Sequence, residues 1–253
     1  MKDEITVSEI KKHLKSSFDV ILKDITGSTN TDAKNLALGG AREGTVVISK
    51  AQTAGRGRMN RKFFSPDDSG VYMSLVLRPE TGGEKSLLIT TAAAVSVSLS
   101  LDKIFGIDTK IKWVNDIYYN NKKVCGILAE SVFAGDDSFC VLGIGINVYP
   151  PENGFPDDIR NKAGYLTQSF RGNLKNRIIA ETLETFIGIY ENIEAKEFLS
   201  IYRDKNMLSG KIVEVPSKGK AKVIDVDDEF HLVIEFEDKT TASLMTGEVI
   251  INL

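Results

Sequence analysis

Five cations, Lys50, Arg56, Arg58, Arg61 and Lys62, lie within thirteen residues with no acid among them, in a chain whose formal net charge is -3. The stretch reads Gln52-Thr-Ala-Gly55-Arg56-Gly57-Arg58-Met-Asn-Arg61-Lys62. Arginine presents a fixed fork of donors that matches the oxygens of a carboxylate or a phosphate. Glycine lets the backbone approach a ligand and offer its N–H groups. Together they predict an anion cradle in a flexible loop that orders on ligand binding; a solvated basic surface loop has the same composition. A second stretch, residues 112–130, carries Lys112, Asn115, Asp116, Lys123 and Gly126. Lys112 and Asp116 fall on one face of a strand and Trp113 and Ile117 on the other. Such a pair serves either as a surface ion pair or in a site, where a carboxylate could help an amine lose its proton. In Gly143-Ile-Gly145-Ile-Asn147, glycines inside a strand mark a bulge or a close backbone approach, and Asn147 could equally be a strand-end turn. Gly27-Ser28-Thr29-Asn30 offers a helix cap. Asn60 and Val148 stand where a third dinucleotide-loop glycine would be, and no phosphate-binding loop of the G-x-x-x-x-G-K-[S/T] kind occurs. Nucleotide chemistry here needs another cradle.

Taken in order, these segments resemble the biotin protein ligases. The family pattern runs roughly D-S-T-N, Q-x-A-G-R-G-R-x-G-R, K-W-P-N-D-(L/I), K-(x)-x-G-I-L-x-E and G-(I/A)-G-I-N, and all five have counterparts here across about half of the chain. The resemblance implies ATP-dependent activation of biotin as biotinyl-5′-AMP, with Mg²⁺, and transfer to a lysine of a biotin carboxyl carrier domain. It implies biotin contacts by Ser28, Thr29, Asn30, Gln52, Gly55, Arg56, Lys123 and Gly126. Ser28 and Thr29 would meet the ureido ring, and Gly126 would let ligand lie against the backbone. Arg58, Arg61, Phe63, Lys112, Asn115 and Asn147 would serve ATP or the adenylate, and Arg56, Arg58, Asp116 and Lys123 would be catalytic, with no protein-bound metal. Phe63 stands where the family often has a tryptophan that stacks on adenine; Phe63 and Phe64 could equally be core anchors. Lys122 is expected to point to solvent. Departures are Met59, Asn60, Val114 for the usual proline, and Asn252 where an arginine is expected after Met245-Thr-Gly247-Glu248. The sister function is a lipoate–protein ligase; a different class is an RNA-binding module using the Arg-Gly run, which the acidic charge disfavours. A degenerate ligase that only senses biotinyl-AMP is a third reading.

The elements that must hold these residues are legible from patterning. Residues 5–17 predict a short helix, 18–26 a strand, and 28 to Gly39-Gly40 a helix. Strands follow at 44–50 and 70–78, then a helix over 84–105. Residues 109–119 and 123–132 read as two strands joined at Asn120-Asn121, and 138–148 as another. A loop at 150–158 precedes helices over 173–192 and 194–206. Beyond Leu208 only short strands and turns remain, five in number. The fold class is α+β. Residues 1–207 form a mixed-sheet catalytic domain, which by the resemblance is like the class II aminoacyl-tRNA synthetase core. Residues 208–253 form a C-terminal SH3-like β-barrel. No room is left for an N-terminal DNA-binding domain, so no repressor role and no nucleic-acid partner is expected.

Hydrophobic residues make up 42% of the 253, and charged residues 26%, an ordinary globular balance. The apolar run 87–101 reads as too short and too polar to span a bilayer. The N-terminus lacks the apolar core of a secretion signal. With Cys125 and Cys140 as isolated thiols and His13 and His231 far apart, neither a disulfide framework nor a zinc site is expected. The expected compartment is the cytoplasm, without membrane association. Monomer and homodimer both stay open.

Overall fold

The computed structural model describes residues 3–79, 86–133, 137–245, 247 and 249–251. The departure at Asn252, Glu248 of the segment before it, and the first two residues of the helix expected over 84–105 lie outside the described residues.

A seven-stranded sheet organises the larger part, in the order β1-β2-β3-β7-β6-β5-β4. Its strands are β1 (Asp19–Thr26), β2 (Thr45–Gln52), β3 (Gly70–Leu77), β4 (Lys110–Lys112), β5 (Asp116–Tyr119), β6 (Lys122–Val132) and β7 (Phe139–Asn147). Only β1 and β2 run parallel, and the other neighbours are antiparallel, so the sheet is mixed as expected. The helices are α1 (Val7–His13), α2 (Thr29–Leu38), α3 (Ser86–Phe105), α4 (Leu174–Tyr190) and α5 (Leu199–Lys205). The helix expected over 194–206 is split: a short 3₁₀ turn at Ile193–Ala195 precedes α5, with Lys196 at positive φ between them.

The side-chain period of β7 decides which face of the sheet is core. Cys140, Leu142, Ile144 and Ile146 point into the main core under α3 and α4. The alternate residues Val141, Gly143, Gly145 and Asn147 face the other way, where Val141 packs with Ala33 and Ala37 of α2. That helix covers only the β2–β3–β7 end of its face. The remainder of the face is where the candidate site lies.

Helix α3 is twenty residues long and by length and composition would cross a bilayer, contrary to the reading of 87–101 as too short and too polar. In the fold 67% of that stretch is buried, against α4 and the sheet, which is the position of a core helix. Both cysteines are buried and unpaired. Burial pushes the Cys140 thiol up to about 12 and raises that of Cys125 as well, so both thiols are held in the protonated, inert form.

The hairpin expected at Asn120-Asn121 forms. Both residues take positive φ, 49° and 58°, as a two-residue turn between twisted strands requires, and asparagine tolerates that region. The run expected as one strand over 109–119 does not. It folds back at Trp113–Asn115 into β4 and β5, which pair antiparallel with Lys112 opposite Asp116. Lys112 and Asp116 therefore share a face as cross-strand partners and not through spacing along one strand. Trp113 and Ile117 are buried on the other side as expected, and Trp113 Nε1 donates to the Phe230 carbonyl at 2.9 Å.

Phe230 belongs to the C-terminal part. There β8 (Ile212–Val215), β9 (Gly219–Val226), β10 (Leu232–Phe236) and β11 (Thr241–Leu244) form a second, all-antiparallel sheet in the order β11-β10-β9-β8. Of the fifth expected strand, the described residues form one bridge, Glu214 to Ile250, beside β8. Phe230 stacks on Phe198 at 5.1 Å and meets Tyr202 edge-on, so the second sheet rests on α5.

Candidate active site

Glycines make the floor. On the open face of the sheet, Gly126 of β6 pairs with Gly145 of β7. A Cβ on Gly145 would stand 2.5 Å from Phe63 Cε1, and one on Gly126 would stand 3.1 Å from Phe63 Cε2 and 3.3 Å from Lys123 Nζ. One on Gly143 would fall 2.0 Å from Asn30 Oδ1. Side chains from elsewhere thus come down onto bare backbone: Asn30 from α2 over Gly143, Phe63 over the Gly126–Gly145 pair. The surface of Gly126, expected to receive ligand, is met by the Phe63 ring and the Lys123 side chain. Phe63 is half-buried, edge-on to Tyr72 at 6.4 Å.

The Asn30 end is an uncharged polar cluster. Gln52 Oε1 accepts from Thr29 N at 2.8 Å and from Thr29 Oγ1 at 3.1 Å, while Gln52 Nε2 donates to Ser65 Oγ at 2.8 Å. Ser28 is the N-cap residue of α2, as the Gly27-Ser28-Thr29 signal suggests, but its side chain makes no capping bond, and Gln52 from β2 accepts the Thr29 N–H in its place. The hydroxyl this leaves over is informative: Ser28 is 4% exposed and its Oγ is buried without a hydrogen-bond partner. Ser74 of β3, fully buried, lies 2.7 Å from Thr29 Oγ1 and 2.6 Å from Asn30 Oδ1. Asn30 Nδ2 donates to Glu130 Oε2 at 2.9 Å, and Glu130 Oε1 receives Arg56 Nη2 at 2.8 Å. A continuous chain of bonds therefore runs from the buried end out to the arginine loop.

That loop is drawn up as a closed hairpin. Gln52 N donates to Ser65 O, Phe63 N to Gly55 O, and Gly57 N to Arg61 O, at 3.0, 2.9 and 2.8 Å. Gly55 sits inside this ladder; a Cβ there would be 2.4 Å from the Phe63 carbonyl. It is the one expected site residue that does not line the cavity. The tip turns through Met59 and Asn60, at φ 55° and 58°. Asparagine is among the residues that tolerate this conformation, which explains how Asn60 stands in for a glycine. Arg58 Nη1 donates to Asn115 Oδ1 at 2.9 Å and Nη2 to the Gly247 carbonyl at 3.2 Å, joining the loop to the β4–β5 turn and to the C-terminal part. Asn115 Nδ2 is committed to the Ile127 carbonyl at 2.8 Å. Lys50, by contrast, pairs with Asp24 at 2.8 Å and plays no part in the cavity wall.

The third wall is charged. Lys123 Nζ lies 2.7 Å from Asp116 Oδ1, with Lys112 directly opposite Asp116. Lys122, expected in solvent, turns back to donate to the Asn161 carbonyl. Together these groups enclose a cavity of about 960 Å³, large enough for a cofactor-sized organic ligand. Every site residue expected from sequence lines it except Gly55. Sequence reasoning missed Ser74, Ser65 and the wall formed by Asp158, Ile159, Asn161, Lys162 and Ala163. It also missed the part of Glu130, although this residue closes one of the motifs read above. Ser74 gave no cue, since it sits in a strand whose eight residues are all buried.

Comparison with known proteins follows the same residues. Residues 22–147 match the model of the biotin/lipoate A/B protein ligase family. The bifunctional ligase/repressor BirA of Bacillus subtilis is 42% identical over 171 residues, 66% of this chain and 52% of that protein. The chain thus spans about half the length of its Bacillus relatives. A biotin--[acetyl-CoA-carboxylase] ligase of Mycobacterium tuberculosis is 29% identical over 235 residues, covering 89% of this chain and 86% of the relative. Among solved structures, the Aquifex aeolicus biotin protein ligase in complex with biotin and ATP superposes with a TM-score of 0.75 at 28% identity, over 92% of this chain and 97% of that one.

Proposed function

We propose, for a chain that belongs to the biotin/lipoate A/B protein ligase family, the activity of a biotin–protein ligase. Residues 1–207 would be the catalytic domain, with a core like that of class II aminoacyl-tRNA synthetases, and 208–253 an SH3-like module. The observation that carries the reading is the joining, in one cavity, of a buried uncharged end bearing an unpartnered Ser28 hydroxyl to a wall of cations. A ureido ring needs neutral donors and acceptors once it leaves water, and a carboxylate and a phosphate need cations.

The chemistry has two steps. An oxygen of the biotin carboxylate attacks the α-phosphorus of ATP, the bond to the bridging oxygen breaks, and pyrophosphate leaves. The amine of a carrier-domain lysine then attacks the acyl carbon of biotinyl-5′-AMP, and AMP leaves with the bonding pair. Arg56, Arg58 and Lys123 would offset the repulsion between the two anions of the first step. Lys112, Asn115, Arg61, Phe63 and Asn147 would hold the nucleotide. Asp116 would position the incoming amine or take its proton. Mg²⁺ would arrive with ATP, and Asp116 and Asp158 are carboxylates on the cavity wall that could face it. The acceptor would be a carboxylase carrier domain, with no nucleic-acid or membrane partner. Two buried unpaired thiols support a reducing compartment such as the cytoplasm.

The test is biotin-dependent ATP–pyrophosphate exchange, with lipoate and octanoate as controls. Exchange with biotin alone supports the reading, exchange with lipoate instead transfers it to the sister function, and exchange with no acid removes it. Within it, Ser28→Ala should raise the KM for biotin about tenfold while leaving the KM for ATP unchanged, the loss of one buried hydrogen bond to the ligand. Equal shifts in both constants would count against Ser28 as a ureido contact.

A further inference from the structure

Strand β7 stops pairing with β6 too early to support Lys123. The last rung of their ladder is Cys125 to Ile146, and the chain leaves the sheet after Asn147. The backbone of Lys123 would then face no neighbour on that side. Its partner is a segment from farther along the chain. Lys123 N donates to the Lys162 carbonyl at 2.8 Å, and Gly164 N donates to the Lys123 carbonyl at 2.8 Å, which makes a parallel bridge between Lys123 and Ala163. The segment is stiffened from within, since Lys162 N and Ala163 N both donate to the Ile159 carbonyl at 2.8 Å. One side chain ties it back to the strand it replaces: Asn147 Nδ2 donates to the Gly164 carbonyl at 3.0 Å. Gly164 can carry no side chain, because a Cβ there would be 2.4 Å from Lys122 Cβ. Both neighbours of the β6 start are thereby fixed, this segment on one side and Tyr118 of β5 on the other.

We propose that Asn147 and the Lys162–Gly164 segment form a brace that positions Lys123 for the first half-reaction, so that Asn147 acts through the backbone of Lys123 as well as, or in place of, touching nucleotide. The inference rests on the ligase reading and on Lys123 serving the adenylation step. A lysine side chain has four rotatable bonds, and its aim is only as good as the backbone that carries it. An unpaired strand end frays, and a misplacement of about 1 Å at a reacting group is worth up to about 10²-fold in rate.

The experiment measures kcat and KM for biotin-dependent exchange in the full chain, with Asn147→Asp, Gly164→Ala, Lys123→Ala and the Asn147→Asp/Lys123→Ala pair. Asn147→Asp keeps the shape but removes the donor to Gly164. Gly164 does not line the cavity, so its alanine variant disturbs the brace without touching ligand. The brace predicts that Asn147→Asp and Gly164→Ala each lower kcat about tenfold or more with KM for ATP changed less than about twofold, and that the double variant is no slower than Lys123→Ala alone. A raised KM for ATP with unchanged kcat in Asn147→Asp, or losses that multiply with Lys123→Ala, would overturn it. So would full activity in a folded Gly164→Ala. Failure of the unsubstituted protein to exchange with biotin would remove the ligase reading and the brace with it, and is read out separately from the variants.

Discussion

Lys123→Ala lowers the rate of biotin-dependent ATP–pyrophosphate exchange by about 10²- to 10³-fold, the usual cost of removing one preorganised group from developing charge. Two effects combine. The substitution deletes a cation from a cavity in which a carboxylate must approach a phosphate. It also strips Asp116 of the partner held 2.7 Å away, leaving that carboxylate less compensated on the same wall. The second effect can be separated from the first. Adding Asp116→Asn to Lys123→Ala removes the stranded charge, so exchange recovers in part although no cation has been restored. Adenylate formation at the normal rate in Lys123→Ala contradicts the role assigned to this residue, and an absence of any recovery in the pair contradicts the account of Asp116.

The second large effect is on retention. Arg58→Ala releases biotinyl-5′-AMP into solution about tenfold faster or more, with the adenylation rate changed far less. Arg58 makes two hydrogen bonds from a charged donor, to Asn115 Oδ1 and to the Gly247 carbonyl, both between surfaces that the cavity separates. Without them the hairpin keeps its own ladder, whose rungs are all backbone, and the Arg56–Glu130 pair, but loses its ties to the β4–β5 turn and to the C-terminal part. Melting therefore shifts little, and the mixed anhydride escapes or meets water. Release of labelled adenylate, measured beside the thermal midpoint, decides the matter. Unchanged release sinks the idea of the hairpin as a lid.

How far the sequence carried this picture depends on the range of the interaction. Local signals were sound. The alternation in Gly143-Ile-Gly145-Ile-Asn147 gives both the core face and the bare floor, and Asn120-Asn121 makes the expected turn. What failed depended on residues distant in the chain. Ser28 is the N-cap of α2 as expected, but the side-chain oxygen that accepts there is that of Gln52, which reaches across from β2. The run from 109 to 119 has the composition of one strand, yet the tight return at Trp113–Asn115 breaks it, with Tyr202 bonding the Val114 carbonyl inside the turn. Lys122 and Lys123 are told apart in sequence only by the family spacing; in the fold the returning segment at 161–164 separates them, binding one ammonium group and the other's backbone. The arginine loop looked flexible because glycine and charge suggest it. Its order comes from backbone pairing between its two legs, which composition does not report.

The contact between Arg58 and residue 247 is made to a peptide oxygen, and Gly247 sits at φ 118°, a conformation that L side chains rarely adopt. At this contact the C-terminal part therefore meets the arginine loop through the path of its main chain. A substitution at this single glycine would be felt mainly at an arginine 189 positions earlier.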